Sequence, residues 1–331
     1  MAIYTKDLGG PLLASVSRSF YLSIRLLPRK LRAPVGLAYL LARASDTIAD
    51  SADVPEETRL GHLTAFTRMI RTGKADGLAE LQHEIHTPHQ GETMLLCNLD
   101  RCIQWLGHLD GKDRAEVVDV LEKIIRGQTR DLERFGGGHH VVALQSAEEL
   151  DEYTYLVAGC VGEFWTRVCL NHLPNCSTLG LAELRRLGAE YGKGLQLVNI
   201  LRDFTTDLRQ GRCYLPEPEL RAAGTSPTPL LDAPEKAQPV FDHWRKRAAT
   251  QLDAGYEYIA TLRYARLRIA CFLPWYLGLR TLRLLGKPGV LERTNKVKVS
   301  RTTVRFAFVY AIASAFSEGA LGWSRRRAAP K

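Results

Sequence analysis

Apolar residues return every three or four positions along almost the whole of this chain, and no stretch sustains the two-residue alternation of a half-buried strand. That periodicity predicts an all-α fold. Lys112 to Phe135 shows it well. Val117, Leu121, Ile124, Gln128, Leu132 and Phe135 share one side at a period of about 3.6, and Gly136-Gly137-Gly138 then ends the helix. Six of the fifteen prolines fall between Pro216 and Pro239, alongside Gly224, Ser226 and Thr228, so residues 216–240 are expected to form a loop that cannot sustain a helix. The expected organisation is one helical domain over 1–331, ending in a basic tail at Arg325-Arg326-Arg327.

Composition removes several function classes. A chain of 331 residues that is 45% hydrophobic and 24% charged is globular, not disordered. The longest apolar run near the C-terminus, Phe306 to Phe316, has 11 residues, where a membrane span needs about 20. No transmembrane helix and no secretory signal are predicted, and the expected location is the cytoplasm. Seven cysteines without a C-x-x-C pair read as reduced, buried thiols. His83, His86 and His89 form H-x-x-H-x-x-H, but Pro88 breaks any helix there, so zinc ligation is not expected. The pI of about 9.2 comes without a basic module interleaved with aromatics, which argues against nucleic acid as a partner.

Chemistry concentrates on two predicted helices. In Val35 to Asp50, the residues Tyr39, Arg43, Asp46 and Asp50 stand at offsets 0, 4, 7 and 11 and form one narrow stripe. Leu37, Leu40, Leu41, Ala44 and Ile48 form a second stripe facing elsewhere. The pattern recurs with Gln196, Asn199, Asp203 and Asp207 at offsets 0, 3, 7 and 11, flanked by Leu197, Ile200, Leu201, Phe204 and Leu208. D-x-x-x-D alone is weak, since chance supplies about one such pair in a chain of this composition. Residue choice is stronger evidence: a solvated helix face would mix Lys with Glu, whereas these stripes hold Asp, Asn, Gln, Arg and Tyr. If the two stripes face each other across a cavity, their four carboxylates converge and need a counter-charge, and hard oxygen donors select Mg²⁺ or a similar ion that keeps positions open for phosphate. A diphosphate substrate follows, held without a Walker-type loop or G-x-G-x-x-G, neither of which is present.

These residues resemble the squalene and phytoene synthase family. Ser17-Arg18-Ser19-Phe20 and the Y-x-x-x-R-x-x-D-T-x-x-D run from Tyr39 to Asp50 are similar to its first signature. Gln196, Asn199, Ile200, Arg202, Asp203, Asp207, Gly211, Arg212, Tyr214 and Pro216 match the second, and Tyr153 to Gly162 matches a third, Y-x-x-x-V-A-G-x-V-G. Ala49 and Thr206 stand where members commonly carry an acidic residue. The resemblance implies an isoprenoid synthase fold whose two Asp-bearing helices line a central cavity, and head-to-head joining of two prenyl diphosphates, farnesyl diphosphate foremost. It implies Mg²⁺ on Asp46, Asp50, Asp203, Asp207 and Asn199. Tyr153, Tyr39 and Arg43 are the implied catalytic residues, and Ser17, Arg18, Ser19, Phe20, Gln196, Arg202, Arg212 and Tyr214 the substrate contacts.

The family divides at its second step, into squalene synthases that reduce the intermediate with NADPH and phytoene or dehydrosqualene synthases that do not. From Tyr276 to Arg305 the chain holds eight basic residues against Glu292 alone. Asn295 to Arg301, NKVKVSR, lies where squalene synthases have a basic stretch associated with the nicotinamide cofactor. Lys296, Lys298 and Arg301 are therefore the NADPH-phosphate candidates, and squalene the expected product. A basic face would equally suit acidic lipid head groups, with the protein peripheral at the inner membrane surface.

Overall fold

A computed structural model of the chain describes residues 2–17, 19–136, 140–292 and 296–329, with backbone alone for Ala2, Ile3, Thr5, Ser19 and Phe20. Arg18 and Asn295 lie outside the described residues. The fold is all-α as expected, and the chain divides into two compact units.

The first unit, Met1–Gly136 with Phe164–Pro174, holds α1 (Ala2–Asp7), α2 (Leu13–Ser17), α3 (Ser19–Leu26), α4 (Arg29–Ala49), α5 (Glu56–Thr72), α6 (Leu78–Glu84), α7 (Gln90–Cys97), α8 (Leu99–Gly107) and α9 (Gly111–Phe135). Helix α4 is its centre and packs on α5, α7, α8 and α9. All five residues of its apolar stripe, Leu37, Leu40, Leu41, Ala44 and Ile48, are completely buried. The start of α9 is fixed by Asp110, whose side chain accepts from the Asp113 amide at 2.9 Å.

The second unit, Gly137–Glu163 with Asn175–Lys331, begins with β1 (Val142–Leu144) and α10 (Ala147–Thr154). A π turn at Tyr155–Gly159 leads into α11 (Cys160–His172), which ends in the first unit. Then come α12 (Leu181–Arg209), β2 (Arg212–Pro216), α13 (Glu217–Ala222), α14 (Gln238–Thr261), α15 (Ala265–Leu285), α16 (Arg301–Phe316) and α17 (Glu318–Ala328). Helix α12 packs on α14 and α15, and its apolar flank of Leu197, Ile200, Leu201, Phe204 and Leu208 is buried as its period required.

Three local features explain sequence motifs. A Cβ on Gly162 would stand 1.9 Å from the Gly188 carbonyl oxygen, and one on Gly192 2.3 Å from that of Ala158. The A-G-x-V-G run is therefore the seam where the start of α11 touches α12 backbone to backbone. Gly211, at φ 78°, makes the left-handed turn out of α12 that only glycine adopts cheaply. The G-R-x-Y-x-P run that follows is β2, paired in parallel with β1 through Val142 and Arg212. Residues 216–240 differ from the expected loop. They hold α13 and two 3-10 turns, Thr228–Leu231 and Pro234–Ala237, and α14 already starts at Gln238. Pro218, Pro229, Pro234 and Pro239 sit at the first or second helical position, where the missing amide costs no hydrogen bond, and Pro216 and Pro227 immediately precede a helix.

Candidate functional site

In the first unit the polar stripe lies at the C-terminal end of α4, and Asp50 is the capping residue itself. Carboxylates there oppose the helix dipole, which favours cations at that end by about 0.3–1 kcal/mol per charge. Buried Arg59 offsets part of this by donating to the Ala49 carbonyl at 2.8 Å. The Gln128 amide nitrogen, from α9, donates to Asp46 Oδ1, and Arg43 Nη1 lies 3.7 Å from Oδ2. Burial first, and then the charge of Asp50, push the Asp46 carboxyl up to about 7 against the pull of Arg43 and Gln128. Its side chain still keeps 44% of its surface open, so an ion can reach it.

Arg43 is held by Glu92 of α7, at 2.6 Å, and Glu92 also accepts from Thr87. Burial lowers the Arg43 pKa, but the charges of Glu92 and Asp46 win and raise it, so the guanidinium is firmly charged. Tyr39 donates to the Val16 carbonyl at 3.3 Å and so ties α4 to the segment carrying S-R-S-F. The Ser17 hydroxyl bonds back to the Leu13 carbonyl of its own helix. Arg18 lies outside the described residues, as do the side chains of Ser19 and Phe20.

In the second unit the arrangement recurs in the last two turns of α12. Arg202 grips Asp203 side by side, Nε to Oδ1 at 3.1 Å and Nη2 to Oδ2 at 2.7 Å. Lys296 adds its ammonium to Oδ1 at 2.9 Å. Burial would raise the Asp203 pKa, but the hydrogen bonds from Arg202 and Lys296 outweigh it and hold the carboxyl below its ordinary value. Asn199 is exposed and donates to Gln196 Oε1 at 3.3 Å, and Asp207 is half-buried one turn beyond Asp203. Tyr153 and Tyr214 stack at 5.0 Å between centroids, with hydroxyls 3.5 Å apart, while Arg212 starts the strand that carries Tyr214. Lys298 and Arg301 are exposed and carry no ion pair among the described residues.

Three partners went unforeseen. Glu92 and Lys296 as anchors of Arg43 and Asp203 had no sequence signal. Gln128 had one, being the lone polar residue in the apolar stripe of α9. Its amide oxygen is buried and, among the described residues, has no hydrogen-bond partner. An all-oxygen donor set on Asp46 and Asp50, and an amide oxygen awaiting a donor beside it, fit a hydrated hard cation. The residues on α12 fit one as well, provided that Lys296 gives way.

The family description that matches residues 13–303 is squalene/phytoene synthase. The chain belongs to that family. It is 26% identical over 300 residues to a squalene synthase of Eremothecium gossypii, covering 88% of this chain and 65% of that protein. A bifunctional lycopene cyclase/phytoene synthase of Blakeslea trispora is 29% identical over 219 residues, covering 65% of this chain and 33% of that one. The chain thus spans at most about two thirds of these relatives' length. Its fold is that of a TcSQS ligand complex, with a TM-score of 0.77 at 23% identity over 96% of this chain and 89% of that one. A dehydrosqualene synthase complex follows at a TM-score of 0.63 and 20% identity, covering 95% and 98%.

Proposed function

We propose that the chain is a squalene synthase, a Mg²⁺-dependent transferase that joins two farnesyl diphosphates head to head and then reduces the product with NADPH. One observation carries this reading: two oxygen-rich acidic pairs, each near the C-terminal end of its helix, where they oppose the dipole and where a bound cation would offset them. On this reading the chain works as one catalytic domain, and both pairs serve the same reaction. Asp46, Asp50, Asp203, Asp207 and Asn199 would hold Mg²⁺, which when bound neutralises charge developing on the departing diphosphate.

The chain's own side chains do the rest. Arg43, Arg202 and Arg212 offer bidentate donors to diphosphate oxygens, with Arg43 pre-positioned by Glu92. Diphosphate departure leaves an allylic cation at C1 of one farnesyl group. The double bond of the second attacks it, and loss of a proton closes the cyclopropane of presqualene diphosphate. The stacked rings of Tyr153 and Tyr214 present π-faces worth about 0.5–2 kcal/mol to such a cation, and their paired hydroxyls supply a path for the proton. In the second step the remaining diphosphate leaves, and hydride delivered to the rearranged cation gives squalene. Lys298 and Arg301 are the exposed cations available to the phosphates of NADPH.

The dehydrosqualene and phytoene synthases among the similar proteins favour a second reading, in which the rearranged cation loses a proton instead. Incubation with farnesyl diphosphate and Mg²⁺, with and without NADPH and beside geranylgeranyl diphosphate, separates the two. Squalene formed only with NADPH supports the proposal. Dehydrosqualene or phytoene regardless of NADPH selects the second reading, and no diphosphate release refutes both.

A further inference from the structure

Helix α16 is built inside out for a protein in water. Its buried side carries the small residues Ala307, Ala311, Ser314 and Ala315, which seat it on α15 and α17. Its large apolar residues point away: Phe306 is 52% exposed, Val309 58%, Ile312 55% and Phe316 77%. At about 100° per residue these four fall within an arc of about 120°, opposite the buried alanines. Trp323 on α17, 42% exposed, continues the surface and is joined to α16 by edge-on contact with Tyr310 at 5.2 Å. Five of the eleven exposed large hydrophobic residues described in the chain therefore lie on these two helices. Contiguous apolar surface of this kind marks an interaction site.

We propose that this face of α16 and α17 docks the protein onto the surface of an anionic lipid bilayer. Charge selects the occupant. From Lys296 to Ala328 the sole acidic residue is Glu318, and Arg305, Arg326 and Arg327 are exposed beside the apolar residues. A second copy of the chain packed face to face would set this basic rim against itself, whereas anionic head groups complement it. Trp and Tyr beside the arc are the side chains that favour the head-group boundary. Among the described residues no helix is long and apolar enough to cross a membrane, so α16 lies in the interface and does not span it. The inference deepens the proposed function, since a farnesyl donor and a squalene product both partition into lipid, but its evidence is independent of that reading.

Vesicle sedimentation of the full chain tests it, with vesicles of phosphatidylcholine alone and with added phosphatidylglycerol. The protein should pellet with the anionic vesicles, less so in high salt, with a blue shift of tryptophan emission. Replacing both Phe306→Ser and Phe316→Ser should cut partitioning by at least about tenfold. Circular dichroism and melting should not change, because both side chains are exposed. The double variant should still release diphosphate from detergent-dispersed farnesyl diphosphate. Absence of vesicle binding, or binding untouched by the double variant, overturns the proposal. So does a lipid-free dimer in the ultracentrifuge that the same variant dissociates. Loss of diphosphate release in both wild type and variant would instead sink the synthase reading and leave vesicle binding standing.

Discussion

Lys296→Met is the substitution in which the proposed metal and cofactor roles part company. In the structure the Lys296 ammonium lies 2.9 Å from Asp203 Oδ1 and occupies an oxygen that the proposed metal site needs. In bulk water two unit charges at that separation attract by about 1.4 kcal/mol, and at an effective dielectric of about 20 by about 6. The lysine side chain is 43% exposed and the aspartate 19%, so solvent screening and lost rotamer freedom pull the net value toward about 1 kcal/mol. An ion binding at Asp203 must first displace the ammonium. Removing it should therefore lower the Mg²⁺ concentration for half-maximal diphosphate release by about fivefold. Binding of Mn²⁺, followed by its spin resonance without substrate, should tighten by the same factor. A lysine that serves only the cofactor gives the reverse pattern: a higher KM for NADPH and an unmoved Mg²⁺ requirement. Half-saturation by Mg²⁺ that stays put or rises in the variant would refute the displacement argument.

Asp46→Asn and Asp203→Asn should each reduce diphosphate release by at least about 10³-fold, since a metal ion's charge stabilisation amounts to several kcal/mol. Helical circular dichroism should be retained, and turnover surviving in either variant would contradict the metal assignment. Gly162→Ala, whose Cβ would meet backbone oxygen at 1.9 Å, should destabilise the chain by at least about 3 kcal/mol in denaturant unfolding. Gly61→Ala, mid-helix in α5 with nothing within 4 Å, should stabilise by about 0.5–1 kcal/mol. The Asp46 carboxyl at about 7 binds an extra proton in the folded chain between the unfolded value of about 4 and about pH 7, so it lowers stability as pH rises through that window. Asp203 acts in the opposite sense: its depressed pKa adds stability above about pH 4 that is lost as pH falls through the folded value. Mg²⁺ competes with the proton on Asp46, so the rise in melting temperature on adding it should be larger at about pH 8 than at about pH 5.5. Equal rises at both would show that Asp46 is not a ligand.

What could be read from the sequence is what a helix repeats within itself. The apolar stripes of α4 and α12 came out buried residue by residue, because a period of about 3.6 ties sequence spacing to a face. The acidic stripes were legible for the same reason. Contacts that depend on chain folding were not. Glu92 stands 49 residues from Arg43, and Gln128 82 residues from Asp46, and no local pattern connects them. Strand β2 escaped because Arg-Cys-Tyr-Leu-Pro has no clean alternation and its partner β1 is far off in sequence. The proline-rich stretch misled in the other direction. A proline is costly in a helix interior, though Pro34 and Pro274 are tolerated there, but it suits the first turn, and which of the two applies depends on where the helix begins.

The placement of the second aspartates belongs to the same problem. D-x-x-x-D is common on solvated helices, and nothing in the spacing separates a site from a surface. Once the helix ends are known, Asp50 caps α4 and Asp207 lies in the last turn of α12. Stability alone would put cations at those positions. On the proposed function, the same local rule is broken on two helices because each pair holds a cation. Lys296 and Arg202, both resting on Asp203, supply that carboxylate with positive charge from the protein itself.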